Sequence, residues 1–435
     1  MSIDSDQSDG IPVNLKKRVS EAKKHVLDIC INCKGVKLLC GFPHCPILKT
    51  LSLEVKTKSL SAKSDVLFGT SPQVFLGSRT YPWVNTGSVV LPEESNIKPE
   101  IFNDPKKWLN LPLSILLDIR FSSIRGERLF PIKRVEGSKF IENMQDLAKS
   151  IKPLDVEIIL EKPPKLAKTI DVIVSPFGPV APAKKAVLID NPVIPRKIDN
   201  VLEEDTLSKV QLKELFEKGF DVYYLQQVFS IGLTGKKESR KLVPTRWSIT
   251  AIDNMIGQFL IEKITMLPEN NDYLLYENTI LDNHYLIMVM PGKWAFEHFE
   301  AWLPGSIFTL NKKNWVITRD GEGFIPQEQR RVKWKYSKQS GGYYAARLGV
   351  MEYLLNILKR QATVVAIREI GPYYLVPVGV VQVRENVRAA LTKRPIRFTS
   401  KKEMIRYVSK KTNVEFREYI ERSLVLGQSK ITDYF

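Results

Sequence analysis

GGYYAARLGVMEYLLNILKRQATVVAIREI, residues 341–370, decides the fold class because it joins a helix to a strand. Apolar residues recur at helical spacing from the Gly-Gly entrance to about residue 361, and β-branched residues are frequent in the ATVVAIREI that follows. The next stretch, YYLVPVGVVQVRENVRAAL (373–391), predicts a second strand and another helix. This mixture predicts an α+β fold with mixed sheets and flanking helices.

The earlier part of the chain carries the same kinds of element. SPQVFLGSRTYPWVNTGSVVLP (71–92) predicts strands interrupted by Gly, Pro and Asn, whereas WLNLPLSILLDIRFSSIRG (108–126) has apolar residues at helical spacing. A chain of 435 residues is too long for one ordinary domain. We therefore expect five parts: a basic segment 1–28, a four-cysteine knuckle 29–48, α+β domains 49–275 and 276–425, and a terminal peptide 426–435.

The charge of the chain indicates a polyanionic partner. Lysine and arginine number 65 against 48 acidic residues, which gives a net charge of +17 and a pI near 9.5. The cations form short clusters, and RRVKWKYSK (330–338) interleaves them with Trp334 and Tyr336, a composition suited to phosphate contacts beside stacked bases. DNA is the predicted partner. The alternative is a generally basic protein whose clusters are solvated faces.

Neither a membrane nor a secretory route is indicated. The acidic start, MSIDSDQSDG, has no apolar segment, and no apolar run approaches the roughly 18 residues needed to span a bilayer. We expect a soluble protein of the cytoplasm, associated with the nucleoid and without a membrane partner.

All four cysteines fall in CINCKGVKLLCGFPHC, at Cys30, Cys33, Cys40 and Cys45. A Cys-x2-Cys knuckle followed by a second pair is typical of a structural four-sulfur zinc site. The gap before Cys45 is longer than usual, so the neighbouring His44 is the competing fourth ligand. An iron–sulfur cluster and a redox pair are the minor alternatives. The sequence predicts a structural zinc ion that staples a small N-terminal module.

Two segments in the middle of the chain are candidates for anion or nucleotide binding. The five-proline stretch 175–200 predicts a long rigid loop, and 230–257 predicts a helix that begins after a proline. Each has a plain structural alternative, a proline-rich connector for the first and a buried arginine and tryptophan for the second. If either segment binds an anion, a nucleotide is a further candidate ligand. The candidate residues are Ser175, Gly178, Lys184, Lys185, Arg246 and Trp247.

Familiar catalytic motifs are missing from the sequence. It has neither the Gly-x-Ser-x-Gly of a serine hydrolase nor a Gly-x-Gly-x2-Gly dinucleotide loop, and GLTGKK departs from the P-loop pattern. Asp155, Glu157 and Glu161 would suit magnesium in a nuclease, but acidic residues spaced along a strand are equally typical of a solvated face. The sequence leaves open whether the chain is a DNA-processing enzyme or a non-catalytic adaptor, and it identifies no catalytic residue.

The chain ends in GQSKITDYF, in which Gln428, Ile431, Tyr434 and Phe435 form the pattern Q-x-x-I-x-x-Y-F. One turn of 3₁₀ helix from Ile431 would place Ile431, Tyr434 and Phe435 on one side, with Gln428 extended ahead of it. This pattern resembles the peptide by which replication and repair proteins bind the sliding clamp PCNA. We therefore expect a flexible clamp-binding peptide.

Several longer motifs resemble the archaeal Nre family of DNA-repair proteins, over nearly the full chain. They are the four-cysteine knuckle, KLVPTRWSITAIDN (241–254), GGYYAARLGVMEYLL (341–355), VVAIREIGPYYLVPVGVVQVRENVRAAL (364–391) and the terminal peptide. The resemblance implies DNA-damage repair with recruitment through the clamp. It matches the knuckle cysteines and the terminal residues to the corresponding motifs of the family, and it carries over no catalytic residue.

Overall fold

The computed structural model shows a mixed α+β protein with two compact units, one ending at Ile256 and the other beginning at Gly257. Two sheets with flanking helices confirm the predicted fold class. The predicted knuckle, the basic N-terminal segment and the clamp peptide from Gln428 onwards lie outside the described residues. The structure describes residues 65–92, 97–111, 115–116, 119, 123–164, 178–306, 308–309, 313–323, 336–374 and 378–427.

The first unit contains a closed five-stranded barrel. Around the barrel the strand order is β1-β2-β3-β5-β4, and β4 pairs back to β1. Neighbouring strands are antiparallel except β3 and β5, which run parallel. Closure leaves the barrel without a free strand edge. The strands are β1 (Val66–Leu76), β2 (Trp83–Leu91), β3 (Ile124–Pro131), β4 (Leu154–Leu160) and β5 (Val180–Leu188).

Alternation along the strands fills the barrel with apolar side chains. In β4 the residues Leu154, Val156, Ile158 and Leu160 are buried, and the residues between them are half-buried. Gly126 of β3 approaches Ile158 so closely that a Cβ there would lie 2.8 Å from Cγ2 of the isoleucine. The packing of β3 against β4 across the interior therefore requires a glycine.

Helix α2 (Lys139–Lys149) lies between β3 and β4 in the chain and packs against the barrel. Phe140 contacts Phe130 of β3, with the ring centroids 5.6 Å apart, and Met144 is fully buried. A closed barrel of five strands in this order, with a helix after the third strand, has the connectivity of the OB fold, which binds oligonucleotides and oligosaccharides. The barrel is not among the expectations drawn from the sequence.

Capping and turn residues explain where the other helices of the first unit begin and end. The Asp221 carboxylate accepts hydrogen bonds from the backbone N–H groups of Tyr223 and Tyr224, at 3.0 Å each, and starts α5. Gly219 follows the end of α4, with a φ of +92°. These helices are α1 (Pro99–Asn103), α3 (Arg196–Glu203), α4 (Ser208–Glu217), α5 (Val222–Ser230) and α6 (Thr245–Ile264), which runs past Ile256.

The second unit is built on a six-stranded mixed sheet of order β11-β6-β7-β10-β8-β9. Only β8 and β10 are parallel neighbours. The predicted domain boundary between residues 275 and 276 falls inside β6. The six strands are β6 (Tyr273–Ile280), β7 (Asn283–Met290), β8 (Ala295–Trp302), β9 (Val316–Glu322), β10 (Thr363–Ile370) and β11 (Ile396–Phe398).

Helices cover both faces of this sheet. On one face lie α7 (Gly341–Tyr353) and α8 (Val380–Thr392), and on the other α9 (Lys401–Val408) and α10 (Phe416–Arg422). The predicted helix from residue 341 is confirmed as α7, and a wider turn over Leu354–Leu358 continues it. Among the helices of the described ranges, none is long and apolar enough to cross a bilayer.

Three local expectations are wrong. The proline-rich stretch 175–200 contains β5. The strand accommodates Pro182, which has no N–H group, near a register shift against β4, and the Pro182 carbonyl still accepts a hydrogen bond from the Glu161 N–H, at 2.8 Å. Residues 124–126, expected at the end of a helix, begin β3. Within the described part of 373–379 no strand forms, and α8 begins after Gly379, whose φ is +92°.

Candidate nucleic-acid interface

The candidate anion-binding residues fall on two elements of the first unit. Gly178 is buried just before β5, and Lys184 and Lys185 are exposed on that strand. Arg246 and Trp247 lie in the first turn of α6, where Trp247 is exposed. Ser175 lies outside the described residues. The positions on β5 and α6 are thus separate in the chain and on different elements.

The start of α6 is fixed to the barrel by side-chain hydrogen bonds. Thr245 Oγ1 accepts a bond from the backbone N–H of Leu76, the last residue of β1, at 2.8 Å. Ser248 Oγ donates to the carbonyl of Gln226 in α5, at 2.7 Å. These bonds lie on either side of Trp247, so they fix the backbone that carries Trp247.

Trp247 contacts an aromatic residue that the sequence reasoning missed. The ring centroid of Tyr81 lies 4.8 Å from that of Trp247, with the two planes tilted by 58°. Tyr81 belongs to the β1–β2 turn, in which Trp83 N–H donates to the Thr80 carbonyl and Thr80 Oγ1 donates to the Trp83 carbonyl, at 2.9 and 2.8 Å. The only hint in the sequence is TYPW, two aromatic residues inside a turn.

Tyr81, Trp83 and Trp247 form an exposed aromatic group at this end of the barrel. Their exposed fractions are 50%, 49% and 42%, although residues of this size usually bury most of their surface. Trp83 pairs with Pro131 at the end of β3, and Leu129, two residues earlier on that strand, is also exposed. The group therefore continues across β2 onto β3.

Exposed cations lie on β3 and β5 beside the aromatic group. Arg128 Nη1 donates to the backbone carbonyl of Lys184, at 3.2 Å, which brings the end of β3 next to the two lysines of β5. Lys133 is exposed just after β3. Among the ion pairs of the described residues, none involves Lys184, Lys185 or Arg246. Within the described residues, no ion pair offsets these three charges.

A buried ion pair lies on the outer face of β3. Arg125 and Glu127 project opposite to Gly126, which faces the barrel interior, and Arg125 Nη1 lies 3.0 Å from Glu127 Oε1. This contact lacks hydrogen-bond geometry, and Glu127 Oε1 has no other hydrogen-bond partner within the described chain. Arg125 Nε also has no hydrogen-bond partner there. Burial raises the pKa of Glu127, against the opposing effect of Arg125 and Arg79. The Arg125 guanidinium lies 4.3 Å from the ring centre of Phe75.

The described residues show no candidate metal centre. Within them, no group of three or more His, Cys, Asp or Glu side chains is placed to hold an ion. Asp155, one of the acidic residues on β4, accepts a hydrogen bond from Thr70 Oγ1 at 2.7 Å. The predicted zinc ligands Cys30, Cys33, Cys40 and Cys45 lie outside the described residues.

Comparison with known proteins places this chain in a family. The family model described as "Archaeal Nre, N-terminal" matches residues 39–309, and the model described as "Archaeal Nre, C-terminal" matches residues 328–434. The chain belongs to the Nre family. No solved structure matches the chain significantly.

Curated members of the Nre family are similar over most of their length. A protein of Archaeoglobus fulgidus named DNA repair protein NreA is 36% identical over 93% of this chain and 98% of its own. DNA repair protein NreB of the same organism is 33% identical, over 92% and 97%. DNA repair protein NreA of Haloferax volcanii is 32% identical, over 76% and 79%. The predicted resemblance to the Nre family is confirmed.

Proposed function

We propose that this protein acts in DNA repair and contacts DNA through the barrel of its first unit. The observation that carries the proposal is the aromatic group of Tyr81, Trp83 and Trp247 beside the exposed cations of β3 and β5. Two further facts support it: the net charge of +17, which favours phosphate contacts, and the name DNA repair protein carried by relatives that match nearly the whole chain.

Recruitment to the sliding clamp is the second part of the proposal. The Q-x-x-I-x-x-Y-F pattern of residues 428–435 supports it. The residues just before this peptide are fixed to the second unit, because Glu297 Oε1 accepts a hydrogen bond from the backbone N–H of Leu424, at 2.7 Å, and Lys401 Nζ donates to the Val425 carbonyl, at 3.0 Å. The peptide thus starts from an anchored point next to the sheet.

Removing residues 428–435 tests the two parts together. We expect the truncated chain to lose binding to the clamp of its own cell and to keep the DNA affinity of the full chain, because the barrel residues are untouched. Surface plasmon resonance with immobilised clamp and fluorescence anisotropy with DNA measure the two affinities. The matched control is Thr432→Ala, which leaves the pattern intact and should bind the clamp normally. Clamp binding that survives truncation contradicts recruitment, and a full chain without DNA affinity contradicts DNA contact.

A structural zinc ion in the cysteine knuckle completes the proposal. The spacing of Cys30, Cys33, Cys40 and Cys45 supports a tetrahedral thiolate site. We expect the purified chain to hold one zinc per molecule by mass spectrometry of metals, and Cys30→Ser with Cys33→Ser to release it. His44→Ala separates the two ligand sets, because zinc retention there favours Cys45 as the fourth ligand. Full zinc content in the double serine variant would refute the site.

A further inference from the structure

The aromatic group leaves a large apolar surface in water beside positive charge. Tyr81 and Trp247 contact each other at a tilt, so neither ring covers the other, and about half of each aromatic side chain in the group stays exposed. The hydrogen bonds of the 80–83 turn and of Thr245 and Ser248 hold the backbone beneath these rings. A surface of this kind is preorganised for binding a flat ligand.

We propose that the aromatic group is a stacking platform for the unpaired bases of single-stranded DNA. The inference deepens the proposed DNA contact and rests on it. Every base has a π-face that stacks on an aromatic ring, whereas the faces in an intact duplex are covered by neighbouring base pairs. A duplex therefore engages only the cations, through its phosphates, and a single strand engages the cations and the rings.

The position of the cations fits the backbone of a strand stacked on the rings. Arg246 adjoins Trp247 in α6, and Arg128, Lys184 and Lys185 lie beyond Leu129 on β3 and β5. A strand lying over Trp247 and Tyr81 and continuing across Trp83 reaches the β5 lysines with its phosphates. This path crosses β2 and β3, the strands whose surface is the ligand-binding face in OB barrels.

Paired affinity measurements on the full chain test the platform. The probes are a fluorescent oligothymidine of about 12 nucleotides, within the roughly 4–16 nucleotide site of an OB barrel, and a duplex of equal length. We expect tighter binding to the single strand than to the duplex. Trp247→Ala and Tyr81→Ala should each weaken single-strand binding by roughly 5- to 150-fold and change duplex binding by less than about twofold.

A matched control separates the platform from exposed aromatic residues in general. Tyr373 of the second unit is 63% exposed, so Tyr373→Ala removes a comparable exposed ring and should leave single-strand binding unchanged. Thermal unfolding within a degree or two of the parent chain shows that the variants remain folded. Quenching of tryptophan emission by the oligothymidine should be reduced in Trp247→Ala, because stacking brings a base onto that ring.

Each other outcome overturns the inference in a distinct way. Equal affinity for single strand and duplex, or equal losses for both in Trp247→Ala, means that the rings do not stack on bases, and DNA contact through the cations still stands. A complete lack of affinity for either probe removes the proposed DNA contact as well. Tighter binding to an oligouridine of the same length than to oligothymidine rejects DNA as the ligand and identifies RNA instead.

Discussion

Each unit buries an arginine beside a glutamate in its sheet, and the two pairs differ in how completely their hydrogen bonds are satisfied. Arg368 of β10 donates to Glu300 Oε1 at 2.9 Å, to Asn283 Oδ1 at 2.9 and 2.6 Å, and to Gln382 Oε1 at 3.1 Å. Arg125 and Glu127 of the barrel are close to each other, yet each keeps a buried polar atom without a hydrogen bond in the described chain.

The difference shows that the most recognisable sequence motifs are not the ones whose side chains are exposed. VVAIREI is among the motifs that resemble the family, and its Arg368 is buried and paired with Glu300. Packing explains this motif. In the barrel, the less conspicuous TYPW holds its rings in water, and the Arg125–Glu127 pair of β3 is incompletely satisfied within the described residues. The contrast supports the proposal that the barrel surface is the part that contacts a ligand.

Neutralising Glu300 should have the largest effect on stability. Glu300→Gln leaves the Arg368 guanidinium buried without its counter-charge, and we expect a loss of about 3–5 kcal/mol in the free energy of opening β10. Hydrogen exchange of peptides from β10 measures this value for the second sheet alone.

The control for Glu300→Gln is an exposed pair in the same unit. Arg397 Nη1 and Asp272 Oδ2 lie 2.8 Å apart with both side chains mostly in solvent, so Asp272→Asn should cost less than about 1 kcal/mol. If the two variants lost the same stability, burial of the Arg368–Glu300 pair would not make it more stabilising than an exposed pair, and the comparison of the two units would be contradicted.

Glu127→Gln should have a smaller effect that depends on pH. The pKa of Glu127 is raised in the folded state, so the folded protein holds this proton to a higher pH than the unfolded chain, whose glutamate pKa is near about 4.3. The contribution of Glu127 to the stability of the wild-type protein is therefore complete below about pH 4.3 and is lost as the pH rises through the pKa of the folded state. Glutamine has no such loss.

The measurement is the free energy of opening β3, by hydrogen exchange at several pH values. We expect the variant to differ from wild type by about 1–2 kcal/mol and the difference to move in favour of the variant as pH rises from about 4 to 8. A difference that stays constant with pH would show that Glu127 titrates as it does in the unfolded chain. Burial of Glu127 in the barrel would then have no pH-dependent cost.

Local sequence patterns suffice for much of the fold. The helices α4, α6 and α7 and the strands β7 and β10 follow from apolar periodicity and from a glycine or proline at one end, signals that act within a few residues. Closure of the barrel does not follow, because it depends on pairing β4 with β1 and β5 with β3 across long stretches of chain. Pro182 also makes β5 look like a loop.

The candidate interface was predictable only in part. Charge and composition draw attention to Lys184, Lys185, Arg246 and Trp247, which the structure places on β5 and α6. Trp83 was missed because an aromatic residue at the start of a strand is usually expected in a core. Its exposure arises from the barrel geometry, which places the β1–β2 turn on the surface and brings α6 alongside it.

The hydrogen bond between Glu297 and Leu424 also limits how far the protein can travel once it is docked. Leu426 is buried in the second unit and its backbone N–H donates to Ser423 Oγ, at 2.8 Å, so only Gly427 separates the anchored chain from Gln428. At roughly 3.5 Å per residue, the connection from Leu426 to Gln428 spans at most about 7 Å. With the peptide seated on the clamp as proposed, the second unit stays beside the clamp, and weak affinity for a neighbouring site would be enough for frequent occupancy.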